Sequence, residues 1–230
     1  MNTLDRSLVA VALVVACGAS AAATTVPGSA NPKLAGMPDG TAAGGGDSAP
    51  GQSPVLFTEF AISAGQLLQF VATGETDHCG GGCAGGTPDG TAIWQNGAEN
   101  GISGINAPIN ALLGVFLGTD QPSLLAAAPA PLDFGADGLG TNFTSLATAL
   151  QQVFFIGDGQ TAGGVPQQFT VPTGATRLYL ASHDGFGWYN NSGSFSVEVS
   201  AVPEPGGWAL MLAGGAAVAA LLRRRRRQVE

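Results

Sequence analysis

The sequence predicts an all-β fold: an antiparallel β-sandwich with long glycine-rich loops, flanked by an N-terminal signal helix and a C-terminal transmembrane helix. Three observations carry this. Charged residues make up 10% of the 230-residue chain and glycine numbers 36, whereas bundles and coiled coils need charged faces and strong helix formers. Hydrophobic residues reach 45%, which argues against a wholly disordered chain. Short apolar runs are separated throughout by Gly, Pro, Asn and Asp turn chemistry.

Residues 1–23 read as a signal peptide. Arg6 precedes an apolar stretch over 8–17 that is too short to span a bilayer, and small residues follow as a cleavage site. A lipoprotein site at Cys17 is the other reading of this segment. Residues 24–53 are rich in Pro, Gly, Ser and Ala and hold little that could form a core, so a flexible leader is expected.

The sandwich domain is expected over 54–200. Strands are predicted at 55–61 and 67–72 with a turn at 63–65 between them, and residues 73–104 form a long loop. The apolar run over 112–118 reads as a buried strand. A further loop spans 119–141, and 143–151 reads as a short helical turn. Strands follow at 153–156, 167–171, 176–181 and 194–200. In the last, Phe195, Val197 and Val199 alternate with polar residues, the period of a half-exposed strand.

Residues 201–230 form a third kind of segment. Val202, Pro203, Glu204 and Pro205 are followed by an uncharged stretch over 206–222, just long enough to cross a bilayer as a helix. Arg223, Arg224, Arg225, Arg226 and Arg227 come next and would hold that end in the cytoplasm. The prolines keep the motif extended. These three parts in this order resemble the PEP-CTERM sorting signal of Gram-negative bacteria. The resemblance implies an exosortase as partner and export across the inner membrane. It also implies anchoring by the helix before processing, and a cell-surface or extracellular destination among exopolysaccharide. An ordinary C-terminal membrane anchor would give the same topology.

Charge excludes one class of function. Between 24 and 201 the only cations are Lys33 and Arg177, against thirteen Asp and Glu, a balance of −11. A body so acidic offers no track for phosphates, so nucleic acid is not an expected partner. Enzyme motifs of the GxSxG, HExxH, Walker and dinucleotide kinds are missing from the sequence, and no enzyme activity is expected. A glycosidase-like pairing among Asp89, Glu99 and Asp184 is the alternative a single sequence leaves open.

Chemistry concentrates at 182–195, SHDGFGWYNNSGSF. Calcium takes six to eight oxygens from carboxylates, amides and backbone carbonyls. Asp184, Asn190 and Asn191 supply three such side chains, and Gly185 and Gly187 let backbone carbonyls turn toward one centre. A loop whose Asn and Asp merely satisfy the turn is the alternative. Trp188, beside this cluster, is the expected sugar-stacking residue, with Trp94 second.

The stretch DGFGWYNNSGSFSVEV resembles the closing loop and last strand of the PA-IL-like family of calcium-dependent, galactose-binding bacterial lectins. That family is a small jelly-roll β-sandwich in which an Asp and an Asn-Asn pair bind calcium, and the ion binds two sugar hydroxyls. The resemblance implies Asp184, Asn190 and Asn191 as ligands, together with backbone carbonyls near Gly187 and His78, and Ca²⁺ as cofactor. It makes extracellular polysaccharide an expected partner. Where the family flanks a Pro-Asp pair with His and Gln, this chain has Thr87 and Gly90 around Pro88 and Asp89, so galactose itself is not implied.

Cys79 and Cys83 are separated by three glycines and a neighbouring Asp77–His78 pair precedes them. In an oxidising compartment a Cys79–Cys83 disulfide is the expected state. Zinc held by His78 and the thiolates, or free thiols, are the other readings. Asp158 in a Gly-Asp-Gly turn is read as turn chemistry rather than a second cation site.

Overall fold

The computed structural model describes residues 23–203 and 214–215, and these are all-β apart from short helical turns. Twelve strands follow one another: β1 (Thr24–Pro27), β2 (Val55–Leu56), β3 (Leu67–Asp77), β4 (Ile93–Asn96), β5 (Ile105–Pro108), β6 (Leu112–Leu117), β7 (Leu132–Asp133), β8 (Ser145–Ala147), β9 (Val153–Phe155), β10 (Gln168–Thr170), β11 (Arg177–Ser182) and β12 (Ser192–Ala201). They form a five-stranded sheet in the order β1-β12-β3-β10-β8, a four-stranded sheet β2-β11-β6-β9 and a small sheet β4-β5-β7. The expected signal helix, the expected membrane-crossing stretch apart from residues 214–215, and the arginine cluster lie outside the described residues, as do Glu204 and Pro205. Among the described residues no helix is long and apolar enough to cross a membrane.

The arrangement is in keeping with a β-sandwich. The longest ladder joins β3 and β12 in antiparallel register from Asp77↔Ser192 to Leu68↔Ala201. Its alternating pattern sends Phe195, Val197 and Val199 inward, with Leu68 and Phe70 from β3 beside them. The second sheet contributes β6, buried along its whole length, and Phe154 and Phe155 of β9. Aromatic contacts tie the sheets: Phe169 of β10 lies 5.0 Å from Phe70 and 5.6 Å from Phe154, ring centre to ring centre. Such pairs contribute about 1 kcal/mol each beyond the area they bury.

Four expectations are corrected. The pairing is not wholly antiparallel, because β8 runs parallel to β10 and β7 parallel to β5. The segment read as a helical turn over 143–151 contains β8, whose Leu146 is buried opposite Phe169. The long loop expected from residue 73 starts only after β3 ends at Asp77, and β4 interrupts it. Residues 24–53 are not a flexible leader. β1 extends the main sheet along β12, Val26, Ala30, Leu34 and Ala35 are buried, and Asn31 and Asp47 are buried with them. A few small apolar side chains and one pairing edge suffice to seat a segment whose composition reads as linker.

Candidate functional site

β11 and β12 are joined by residues 183–191, the loop in which the candidate ligands cluster. Asp184 is 4% exposed. Its Oδ1 accepts hydrogen bonds from the Gly185 N–H at 2.6 Å and the Phe186 N–H at 3.3 Å, while its Oδ2 is buried without a partner. Burial holds this carboxyl above its ordinary range, against the Phe186 N–H, the Asn191 amide, the Gly185 N–H and the His78 ring, which favour the carboxylate. The Asp184 carbonyl accepts from Asn96 Nδ2 at 3.0 Å, which fixes the loop to the end of β4.

Asn191 shows the same imbalance. Its Nδ2 donates to the Gly28 carbonyl at 3.0 Å, and its Oδ1 is buried without a partner. A carbonyl can only accept, so this bond orients the amide and settles which end carries the oxygen. Asp184 Oδ2 and Asn191 Oδ1 are therefore both buried without a hydrogen bond, although the Asn191 side chain lies close enough to favour the Asp184 carboxylate. Leaving such atoms unmatched costs roughly 1–3 kcal/mol each, and a hard cation is the partner their chemistry fits.

The other expected residues fall less evenly. Asn190 is exposed on the short helical turn Trp188–Asn190. Gly187, with φ of 81°, starts that turn in a left-handed conformation, and its carbonyl already accepts the Asn190 N–H at 3.5 Å. His78 follows β3 directly and lines a cavity of about 490 Å³ together with Asp184, Gly185, Phe186, Trp94 and Ile109. The His78 Nδ1 stands 3.2 Å from Asn110 Oδ1, and Asn110 Nδ2 is itself buried without a partner.

Trp188 is not the stacking residue. It is 3% exposed, and its indole N–H donates to the Ser182 carbonyl at 3.0 Å, so its faces are inside the protein. Trp94, 55% exposed, is the tryptophan that faces the cavity. It packs directly over Gly185, where a Cβ would run into the indole ring. Nearness to the ligand cluster in sequence ranks Trp188 first, and the packing of β4 against the loop reverses that order.

Asp47 is the residue that sequence reading missed. It is 1% exposed and lies in the segment expected to be loose. Its Oδ2 accepts from the Trp188 N–H and from Asn31 Nδ2, each at 2.9 Å, and its Oδ1 accepts from the Tyr189 N–H at 2.8 Å. One carboxylate thus clamps the start of the 188–190 turn and with it the approach to Asn191. The Gly28 carbonyl adds a second tie by accepting from both Asn191 Nδ2 and Ser182 Oγ.

Cys79 and Cys83 are joined in a disulfide, and Asp77 caps the small loop by accepting the Cys79 N–H at 2.7 Å and the Cys83 N–H at 3.3 Å. The zinc alternative does have suitable geometry, with ligand atoms of Asp77, His78, Cys79 and Cys83 all within 4.8 Å of one another. The disulfide nevertheless takes both sulfurs, and Asp77 is occupied by the loop N–H groups. Asp89, Glu99 and Asp184 are not brought together. Asp89 Oδ1 accepts the Asp158 N–H at 3.0 Å beside another cavity, and Glu99 accepts the Gly44 N–H. Asp158 Oδ1 accepts the Gln160 N–H at 2.8 Å, the turn bond its spacing predicts.

No protein-family model matches the chain, and no curated protein matches it. Among solved structures the chain is similar to the N-terminal domain of EclA, described as a PllA-like lectin. The two are 17% identical over 78% of this chain and 95% of that one, with a TM-score of 0.36. A superposition that loose fixes neither a site nor a ligand for this chain.

Proposed function

We propose that residues 24–201 form a calcium-dependent carbohydrate-binding domain of the jelly-roll kind. On this reading the protein is non-enzymatic, is exported across the inner membrane of a Gram-negative bacterium, and is sorted by an exosortase through Val202, Pro203, Glu204 and Pro205. At the cell surface or in the extracellular matrix it engages polysaccharide. The observation that supports this best is the pair of buried, unpartnered oxygens, Asp184 Oδ2 and Asn191 Oδ1, with Asp184 lining a cavity of about 490 Å³.

Asp184 and Asn191 would hold the ion by these two oxygens, with carbonyls near His78 and Gly187 and the exposed Asn190 available to complete the shell. The chain supplies one carboxylate there, so affinity falls in the range of weak extracellular calcium modules, a Kd of about 10⁻⁴ M. A bound calcium ion keeps coordination positions open to sugar hydroxyls. The chain's own work is to hold the ligands: Asn96 fixes the Asp184 backbone, Gly28 fixes Asn191, and Asp47 fixes the turn between them.

Calcium titration calorimetry on the wild type and on Asp184→Ala tests the reading. The wild type gives heat with a Kd of about 10⁻⁴ M, and its melting temperature rises with calcium. At a hundredfold excess over Kd the added stability is about 2.7 kcal/mol. Asp184→Ala shows neither effect. Equal heats in both proteins, or retention on a glycan array that a chelator leaves unchanged, overturn it.

A further inference from the structure

The walls of the cavity beside Asp184 bear on which saccharide it takes. Trp94 and Phe186 flank it, 55% and 74% exposed, and Ala92 and Ile109 lie on the wall with them. Large aromatics this exposed lose water only when something covers them. No Lys or Arg lines the cavity, and the His78 imidazole is the basic group in its wall. Among the described residues the cations are Lys33 and Arg177. Lys33 is buried with its Nζ on the Ser103 carbonyl. Arg177 begins β11, at the opposite end from the loop, and donates to the carbonyls of Gly118 and Asp120. Asp184 is the one carboxylate in the lining.

We propose, on the calcium-dependent reading above, that this cavity selects neutral sugars with an apolar flank, 6-deoxyhexoses foremost, and rejects uronates. Two ring hydroxyls face the ion, which turns the remaining edge of the sugar toward Trp94, Phe186 and Ile109. A methyl group at C6 is buried there with gain. A hydroxymethyl group loses water and meets an apolar wall. A carboxylate at C6 loses more, because with the hydroxyls on the ion it is turned to a wall without Lys or Arg, in a cavity that already holds the Asp184 carboxylate. Burying one methyl rather than leaving it exposed corresponds to about a fourfold gain in affinity.

Methyl glycosides that differ only at C6 provide the test: 6-deoxyhexose, hexose and hexuronic acid, each in galacto, gluco and manno configuration, titrated in saturating calcium. In whichever configuration binds, the deoxy sugar is tighter than the hexose by about fourfold, and the uronate is weaker than the hexose by about tenfold or more. Trp94→Ala brings the deoxy-to-hexose ratio toward one. Phe186→Ala, at a side chain 74% exposed, repeats the measurement without depending on the Trp94 contact to Gly185. A uronate that binds as well as the hexose, or a ratio unmoved in both variants, overturns this selectivity while leaving calcium-dependent sugar binding in place. Calcium heat with no response to any member of the series overturns the carbohydrate reading itself, and no calcium heat overturns the metal site.

Discussion

Asp47 holds the 188–190 turn although it lies about 140 positions away in the chain, and of the three hydrogen bonds it accepts two are buried and the one from Tyr189 is part-buried. Asp47→Ala leaves the Trp188 N–H, the Tyr189 N–H and the Asn31 amide without acceptors. At roughly 1 kcal/mol for each group left unmatched, the cost is about 3 kcal/mol. Urea unfolding reads that as a lower midpoint with an unchanged slope, and calcium binding weakens with it because Asn191 follows the turn. Unchanged stability would mean that water replaces the carboxylate and the clamp carries nothing. The residue scale also shows what local chemistry discloses. Asp184 and Asn191 stand out in the sequence because a polar ligand pair within one Gly-rich loop is a local signal. Asp47, in Gly-Gly-Gly-Asp-Ser, has no such signal, because its role depends on a partner loop that only the fold brings near.

At the scale of elements, strands that carry their own apolar weight were legible and strands that borrow it were not. β6, β9, β11 and β12 each contain enough buried Val, Leu, Ile or Phe to announce themselves. β1 has one buried side chain, Val26, in Thr-Thr-Val-Pro, and exists because β12 offers an edge to pair with. The sequence reads 143–151 as a short helical turn, yet the pairing of β8 with β10 overrides that reading. The 24–53 segment follows the same logic and yields a prediction. Removing it uncovers the β12 edge, Ser182 and the loop above it, and withdraws Gly28, Asn31 and Asp47 together. Residues 54–203 alone should therefore melt without a sharp transition, while 24–203 melts cooperatively; calorimetry of the two proteins compares them. Equal cooperative melts would return the segment to the status of a linker.

At the scale of the whole molecule, the domain carries two cations against thirteen carboxylates, and one of those cations is enclosed. Lys33 is 2% exposed, its ammonium meets the Ser103 carbonyl, and its pKa is lowered to about 7 by burial, with the Glu99 charge pulling the other way. The neighbouring His183 is lowered to about 4 by its own burial, so it is neutral throughout the range where Lys33 titrates. Between about pH 7 and 10.5 the unfolded chain holds a proton on Lys33 that the native state has released. Stability therefore rises with pH across that window and is lowest below it, where the native state must keep an enclosed ammonium charged. One proton corresponds to at most about 1.4 kcal/mol of stability for each pH unit. Urea midpoints measured from pH 6 to pH 9 should climb once pH 7 is passed, with the disulfide kept intact. Lys33→Met removes the titrating group while keeping the length of the side chain, so its midpoint should stay level over the same range and exceed that of the wild type at pH 6. A wild-type profile that is flat from pH 7 to pH 9, or a Lys33→Met profile that climbs as steeply, would mean that water reaches this amine and that the segment carrying it is looser than its packing implies.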